Sequence, residues 1–353
     1  MSISRSLSFL LLVALFASHS FAQVKRPEDL PWPPVLPEGK PYLVVEGPEL
    51  LKPPANLAEG VAVAAKPPRV EYHYYPGQDY PGSIWSNWGE GTVANGKYYS
   101  AIGDHDSPQG TARVFEFDPK THTLRQLLDT KTLTNLPPGH HIPAKIHSRV
   151  DMGSDGWLYC STHRGSTRVT TDQYHYKGDW IVRCNPETGA QEIVTHAPVA
   201  KHCIPASVMD SERMIFYGAT APGEGEKREN FFAFDVKNNK LLYSDENGPS
   251  RAMILARSTG KVYFVPGAAG KQEGPLLRFD PANPGAPEDT GVTLGLRAAT
   301  QETADGLVYV VSQGGRGGDP STLYSFNTKT EKVEELGPVA VGVENDPPLR
   351  TRG

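Results

Sequence analysis

Phe115–Leu124 reads FEFDPKTHTL, and the same form returns as Val182–Gln191 (VRCNPETGAQ), Phe232–Leu241 (FAFDVKNNKL), Leu277–Ala286 (LRFDPANPGA) and Tyr324–Val333 (YSFNTKTEKV). Each is an apolar strand running into a turn that opens on Asp or Asn, whose side chain can bond its own backbone two residues on. A second mark alternates with the first: strands holding a tyrosine, GKYYSAIG, GWLYCSTH, RMIFYGAT, KVYFVPG and GLVYVVSQ, set about 45 to 60 residues apart. Short strands repeated at this period, with turn signals between them, predict an all-β fold, a β-propeller of four-stranded blades. A helical solenoid fails because the units carry β-branched and aromatic residues without 3.6-residue stripes. A double-sheet sandwich would not explain the register of the repeats.

Five blades are clear between about Gly91 and Gly342, and the segment from YLVVEG (Tyr42–Gly47) to Trp88 supplies much of another. The count is therefore six or seven. The last residues, VENDPPLRTRG, have no strand character where a closing strand would fall, so the ring reads as either closed differently or incompletely closed. Upstream, residues 23–68 are rich in proline and read as an extended arm, with the propeller over 69–353. Residues 1–22 read as a secretory signal: Arg5, an apolar core from Phe9 to Phe16, and Ser20-Phe21-Ala22 as a small-x-small cleavage site. The expectation is a secreted or periplasmic protein with no membrane span.

The 353 residues include 35 Gly, 32 Pro and 15 Tyr, and the formal charge is −5. There is no basic tract with interleaved aromatics, which excludes nucleic acid as the expected partner. Cys160, Cys184 and Cys203 lack CxxC spacing and read as buried small residues, with room for one disulfide at most.

The chemistry gathers in KIHSRVDMGSDGWLYCSTHRG, Lys145–Gly165. A three-residue loop, Ser154-Asp155-Gly156, suits a type I turn followed by a left-handed glycine and pairs Gly153 with Trp157. That register sets His147 directly opposite His163, with Cβ atoms about 5 Å apart. It also puts His147, Arg149, Asp151, Tyr159, Ser161 and His163 on one face and mostly apolar residues on the other. His147 lies twelve residues before Tyr159, and the equivalent positions before the other tyrosines are Asn87, Pro205, Arg251 and Arg297. Arginine at the start of an inner strand calls for water or an anion. His105, His202 and Gln313 are expected at the same mouth, with Tyr174 in an insertion nearby. Of the ten histidines after the signal, nine fall between His105 and His202.

Arginines beside histidines and tyrosines suit an anionic substrate whose acidic C–H is removed. Arginine neutralises a carboxylate, a neutral imidazole takes the adjacent proton, and a second acid protonates the leaving oxygen. Glycoside hydrolysis would want two flanking carboxyl groups, and no G-x-S-x-G nucleophile motif exists. The KIHS and STHRG histidines, with arginines on the following blades, resemble the β-propeller polysaccharide lyases, ulvan lyases in particular. The resemblance implies β-elimination at a uronate, with His147 and His163 as the histidine pair, Arg251 neutralising the carboxylate and Tyr174 as one choice of tyrosine. Substrate-binding roles would fall on Arg297, Asn87, His105, His202 and Gln313, with an anionic polysaccharide as partner. Oligogalacturonate lyases of similar architecture hold a metal with several histidines, which here would be His147, His163 and His202, although no HExxH-type spacing supports it. The other class of function is a non-catalytic propeller that binds an anionic glycan or a protein.

Overall fold

A computed structural model describes residues 39–75, 85–104, 110–267, 273–313 and 320–339. Five sheets follow one another along the chain, over residues 85–129, 151–196, 202–245, 249–295 and 298–338. Each has four antiparallel strands joined in chain order, and the first gains a fifth, Thr92–Ala94, beside Lys97–Asp104. A two-stranded sheet, Tyr42–Val45 with Val70–His73, precedes them, giving six sheets in series. The architecture is an all-β propeller. Part of the proline-rich arm thus enters a sheet.

The repeated turns form as the sequence requires. Oδ1 of Asp118, Asn185, Asp235, Asp280 and Asn327 each accepts from the backbone N–H two residues on, at 2.8–3.0 Å. This satisfies donors that the outer hairpin would otherwise leave to water.

The cores lie between sheets. One joins the first and second blades through Tyr99, Val114, Leu158 and Val182; the next joins the second and third through Tyr159, Ile181, Ile204 and Phe216. Tyr217 and Phe231 meet Met253 and Phe264, and Tyr263 and Leu276 meet Val308 and Phe326, along the remaining two seams. The recurring tyrosine is therefore the residue each blade presents to the blade that follows. Tyr99, Tyr159, Tyr217 and Tyr263 are at most 1% exposed, whereas Tyr309 of the fifth blade is 38% exposed. Among the described residues no further sheet covers it, and the ring is not closed. At the other end Tyr75 packs edge-on against Phe115, and His73 against Phe117, seating the two-stranded sheet on the first blade.

All three cysteines are buried and unpaired, so the optional disulfide is absent. Burial raises each thiol, Cys184 and Cys203 to about 12.

Candidate functional site

The 145–165 hairpin closes on the predicted loop. Gly153 N–H donates to Trp157 O at 2.8 Å, Gly156 N–H returns to Gly153 O at 3.0 Å, and Gly156 takes φ +79°. Asp151 faces Tyr159 and Met152 faces Leu158, in the expected register. Beyond this the pairing departs from expectation. Lys145, not His147, is the backbone partner of His163, whose N–H donates to Lys145 O at 2.7 Å. Two extra residues on the inner strand are taken up between these pairs. Ser148 replaces the missing ladder bonds: its Oγ accepts from Ser161 N–H at 2.8 Å and donates to Ser161 O at 3.0 Å.

The rings of His147 and His163 nonetheless lie face to face, with centroids 5.6 Å apart and planes inclined at 29°. His147 Nδ1 is 2.8 Å from Pro205 O, and its Nε2 is 3.0 Å from Nη1 of Arg251. A carbonyl only accepts and a guanidinium only donates, so the partners assign one neutral tautomer: Nδ1–H, with the lone pair on Nε2. His147 is pushed down to about 4, first by burial, then by the charges of Arg251 and Lys145. His163 Nδ1 donates to Arg164 O, and burial, with His147 and Lys145 behind it, holds its pKa well below the usual range. Both imidazoles are neutral at pH 7.

Three of the positions aligned by the repeat thus meet at one ring: His147, the Pro205 carbonyl and Arg251. The charge of Arg251 also reaches Arg297, whose pKa is lowered by burial first and then by that charge. Lys145 and Trp88, which the repeat pattern did not single out, complete the cluster. Trp88 is 47% exposed, stacks on His147 at 6.0 Å and carries Lys145 Nζ 4.2 Å from its ring centroid. Its signal was adjacency to Asn87, itself exposed. Gly89 and Gly103 let this backbone approach, because a Cβ would meet Ser148 O at 2.2 Å and Ala144 O at 2.7 Å respectively.

Other sequence candidates sit apart. His202 is buried, with Nδ1 2.7 Å from Ala200 O and Nε2 3.0 Å from Arg228 O, so backbone carbonyls occupy both nitrogens. Tyr174 ends the short 3-10 turn Asp172–Tyr174, and its carbonyl accepts from His141 N–H at 2.8 Å. Gln313 is exposed two residues past the strand Leu307–Val311, and His105 lies outside the described residues. His140, His141, His175 and His196 gather with Tyr176 and Trp180 around a cleft of about 260 Å³. His147, His163 and His202 do not converge as a metal set. Among the described residues the group of three able to do so is Glu71, His73 and His122.

The fold and this cluster define a β-propeller with a neutral histidine pair bordered by cations. No protein-family model matches the chain, and no curated protein matches it in sequence. Solved structures of similar fold include the periplasmic gluconolactonase of Pseudomonas aeruginosa, at 12% identity over 72% of this chain and 73% of that one, with a TM-score of 0.47. They also include an oligogalacturonate lyase in complex with manganese, at 10% identity over 68% and 66%, with a TM-score of 0.43. The β-propeller domain of the Trilobed protease from Pyrococcus furiosus, at 10% identity over 70% and 69%, scores 0.44. Similarity at this level carries no functional argument. Among the described residues no helix is long and apolar enough to cross a membrane.

Proposed function

We propose that this chain is an exported polysaccharide lyase acting on a uronate-containing glycan by β-elimination. The observation that carries the reading is the contact of Arg251 with the lone-pair nitrogen of a neutral His147 stacked on His163. A uronate carboxylate is the natural partner for Arg251 and Arg297, since arginine pairs with a carboxylate through a planar fork of donors. Engaging Arg251 on the substrate releases His147 Nε2. The bound negative charge also offsets the cations that depress His147, so its basicity rises when substrate arrives.

His147 then removes the proton at C5, next to the carboxylate, and Arg251 stabilises the developing enolate. The C4–O bond breaks as the C4–C5 double bond forms, and Lys145, whose charge reaches both rings, donates the proton to the leaving oxygen. His163 holds His147 in its stacked orientation, and Trp88 offers a sugar ring an exposed aromatic face.

Exposure of Trp88 also favours a second reading, in which the propeller only captures an anionic glycan. The two separate in one experiment: incubation of the protein with a panel of uronate polysaccharides while absorbance of unsaturated uronates is followed in the ultraviolet. The lyase reading expects a signal that His147→Ala abolishes and Arg251→Gln reduces by about two orders of magnitude or more, the scale of one lost transition-state donor. Binding to a glycan with no unsaturated product from any member of the panel would establish the second reading instead.

A further inference from the structure

We propose that Glu71, His73 and His122 form a site for a divalent transition metal of the zinc class, fastening the N-terminal sheet to the first blade. Glu71 and His73 are two apart on the strand Val70–His73, so their side chains leave it on the same face. His122 comes from the turn between the strands Ala112–Asp118 and Thr123–Asp129 and holds the left-handed φ of +55°. His73 Nε2 and His122 Nδ1 lie 3.0 and 2.8 Å from the same oxygen, Glu71 Oε2, and all three ligand atoms fall within 4.8 Å of one another. Tetrahedral zinc with bonds of about 2.0 Å has ligand atoms about 3.3 Å apart, close to these separations.

The surroundings are built to hold these groups in place. Tyr42 stacks on both rings, at 4.9 Å from His73 and 5.7 Å from His122, and Phe117 meets His73 edge-on at 4.7 Å. Arg69 pairs with the other carboxylate oxygen, Oε1, which leaves Oε2 as a single-point ligand. The His122 side chain is 36% exposed, against 14% for His73 and 13% for Glu71, so the fourth coordination position opens to water on the His122 side. Two nitrogens and one carboxylate oxygen, with water as the fourth ligand, suit zinc, cobalt or nickel better than calcium or magnesium. The arrangement without metal is a carboxylate accepting two imidazole N–H bonds, and the two arrangements differ in measurable ways.

The experiment uses the full chain, stripped with chelator and titrated with cobalt(II), then zinc. Expected are one equivalent bound per chain, a visible cobalt band of four-coordinate intensity that zinc displaces, and a rise in melting temperature with zinc. Glu71→Gln and His122→Gln, both partly exposed and near-isosteric, lose the band and the melting shift. His140→Ala, in the other histidine cluster, keeps both. Absence of stoichiometric binding, or binding that survives in both ligand variants, overturns the proposal. The uronate assay tests a different site, so neither result decides the other.

Discussion

Replacing Arg251 with glutamine removes the cation nearest His147 while keeping a side chain able to donate to Nε2. The guanidinium nitrogen is 3.0 Å from that atom, which places the two charge centres about 5 Å apart. Arg251 is exposed and His147 half-buried, so an effective dielectric constant of about 40 applies, between the protein-surface and bulk-water values. The repulsion relieved in the imidazolium form is then about 1.7 kcal/mol, a little over one pH unit. His147 in Arg251→Gln should titrate near 5, up from about 4 in the wild type. It should not return to its ordinary value, because burial is the largest cause of the depression and Lys145 remains. The assay is the NMR titration of the imidazole Cε1–H resonance, assigned by its loss in His147→Ala. A wild-type His147 that titrates at its ordinary value, or an Arg251→Gln midpoint that stays put or falls, would refute the electrostatic account of the cluster.

Two further outcomes follow from the same geometry. His147 and His163 both bind protons more weakly folded than unfolded, and for His147 the unfolded chain holds the extra proton between about pH 6.5 and 4. The contribution of His147 is present above that window and is lost as pH falls through it, by at most about 3.4 kcal/mol, and that of His163 is lost in the same direction; melting temperatures at pH 7 and 5 check it, with His147→Gln showing the smaller drop. Gly89→Ala would drive a Cβ against Ser148 O, forcing the 147–148 backbone to move and breaking the Ser148–Ser161 bonds. Denaturant unfolding should show a loss of about 1–3 kcal/mol, accompanied by a displaced His147 titration.

The blades were legible because their signals are local. An Asx turn is decided by a side chain and the N–H two residues on, and all five formed. The hairpin loop was legible for the same reason. The pairing of His163 was not, because nothing in a strand pattern marks extra residues when a serine hydroxyl stands in for backbone groups. The two histidines still faced each other because the slip was of two residues: side chains alternate with period 2, so an even slip changes the partner and preserves the face. A slip of one would have turned His147 away. His202 shows the opposite limit, since whether an imidazole faces solvent or two carbonyls depends on loops distant in sequence. The triad of Glu71, His73 and His122 was hidden for a related reason: 49 residues separate His73 from His122, and only the seating of the N-terminal sheet on the first blade brings them together.

Each of the five four-stranded blades is drawn from one stretch of chain, and the tyrosines of the first four are covered only by the blade that follows. A chain that emerges N-terminus first can therefore pair the strands of each sheet as that sheet appears, with little loop-closure entropy to overcome. Its apolar face stays wet until about fifty more residues have followed. An emerging chain carries one such unfinished seam at a time, and that seam moves toward the C-terminus as emergence proceeds. A pause in emergence exposes the tyrosine of the last finished blade, so the order of emergence sets where the incomplete protein is most prone to associate with its neighbours.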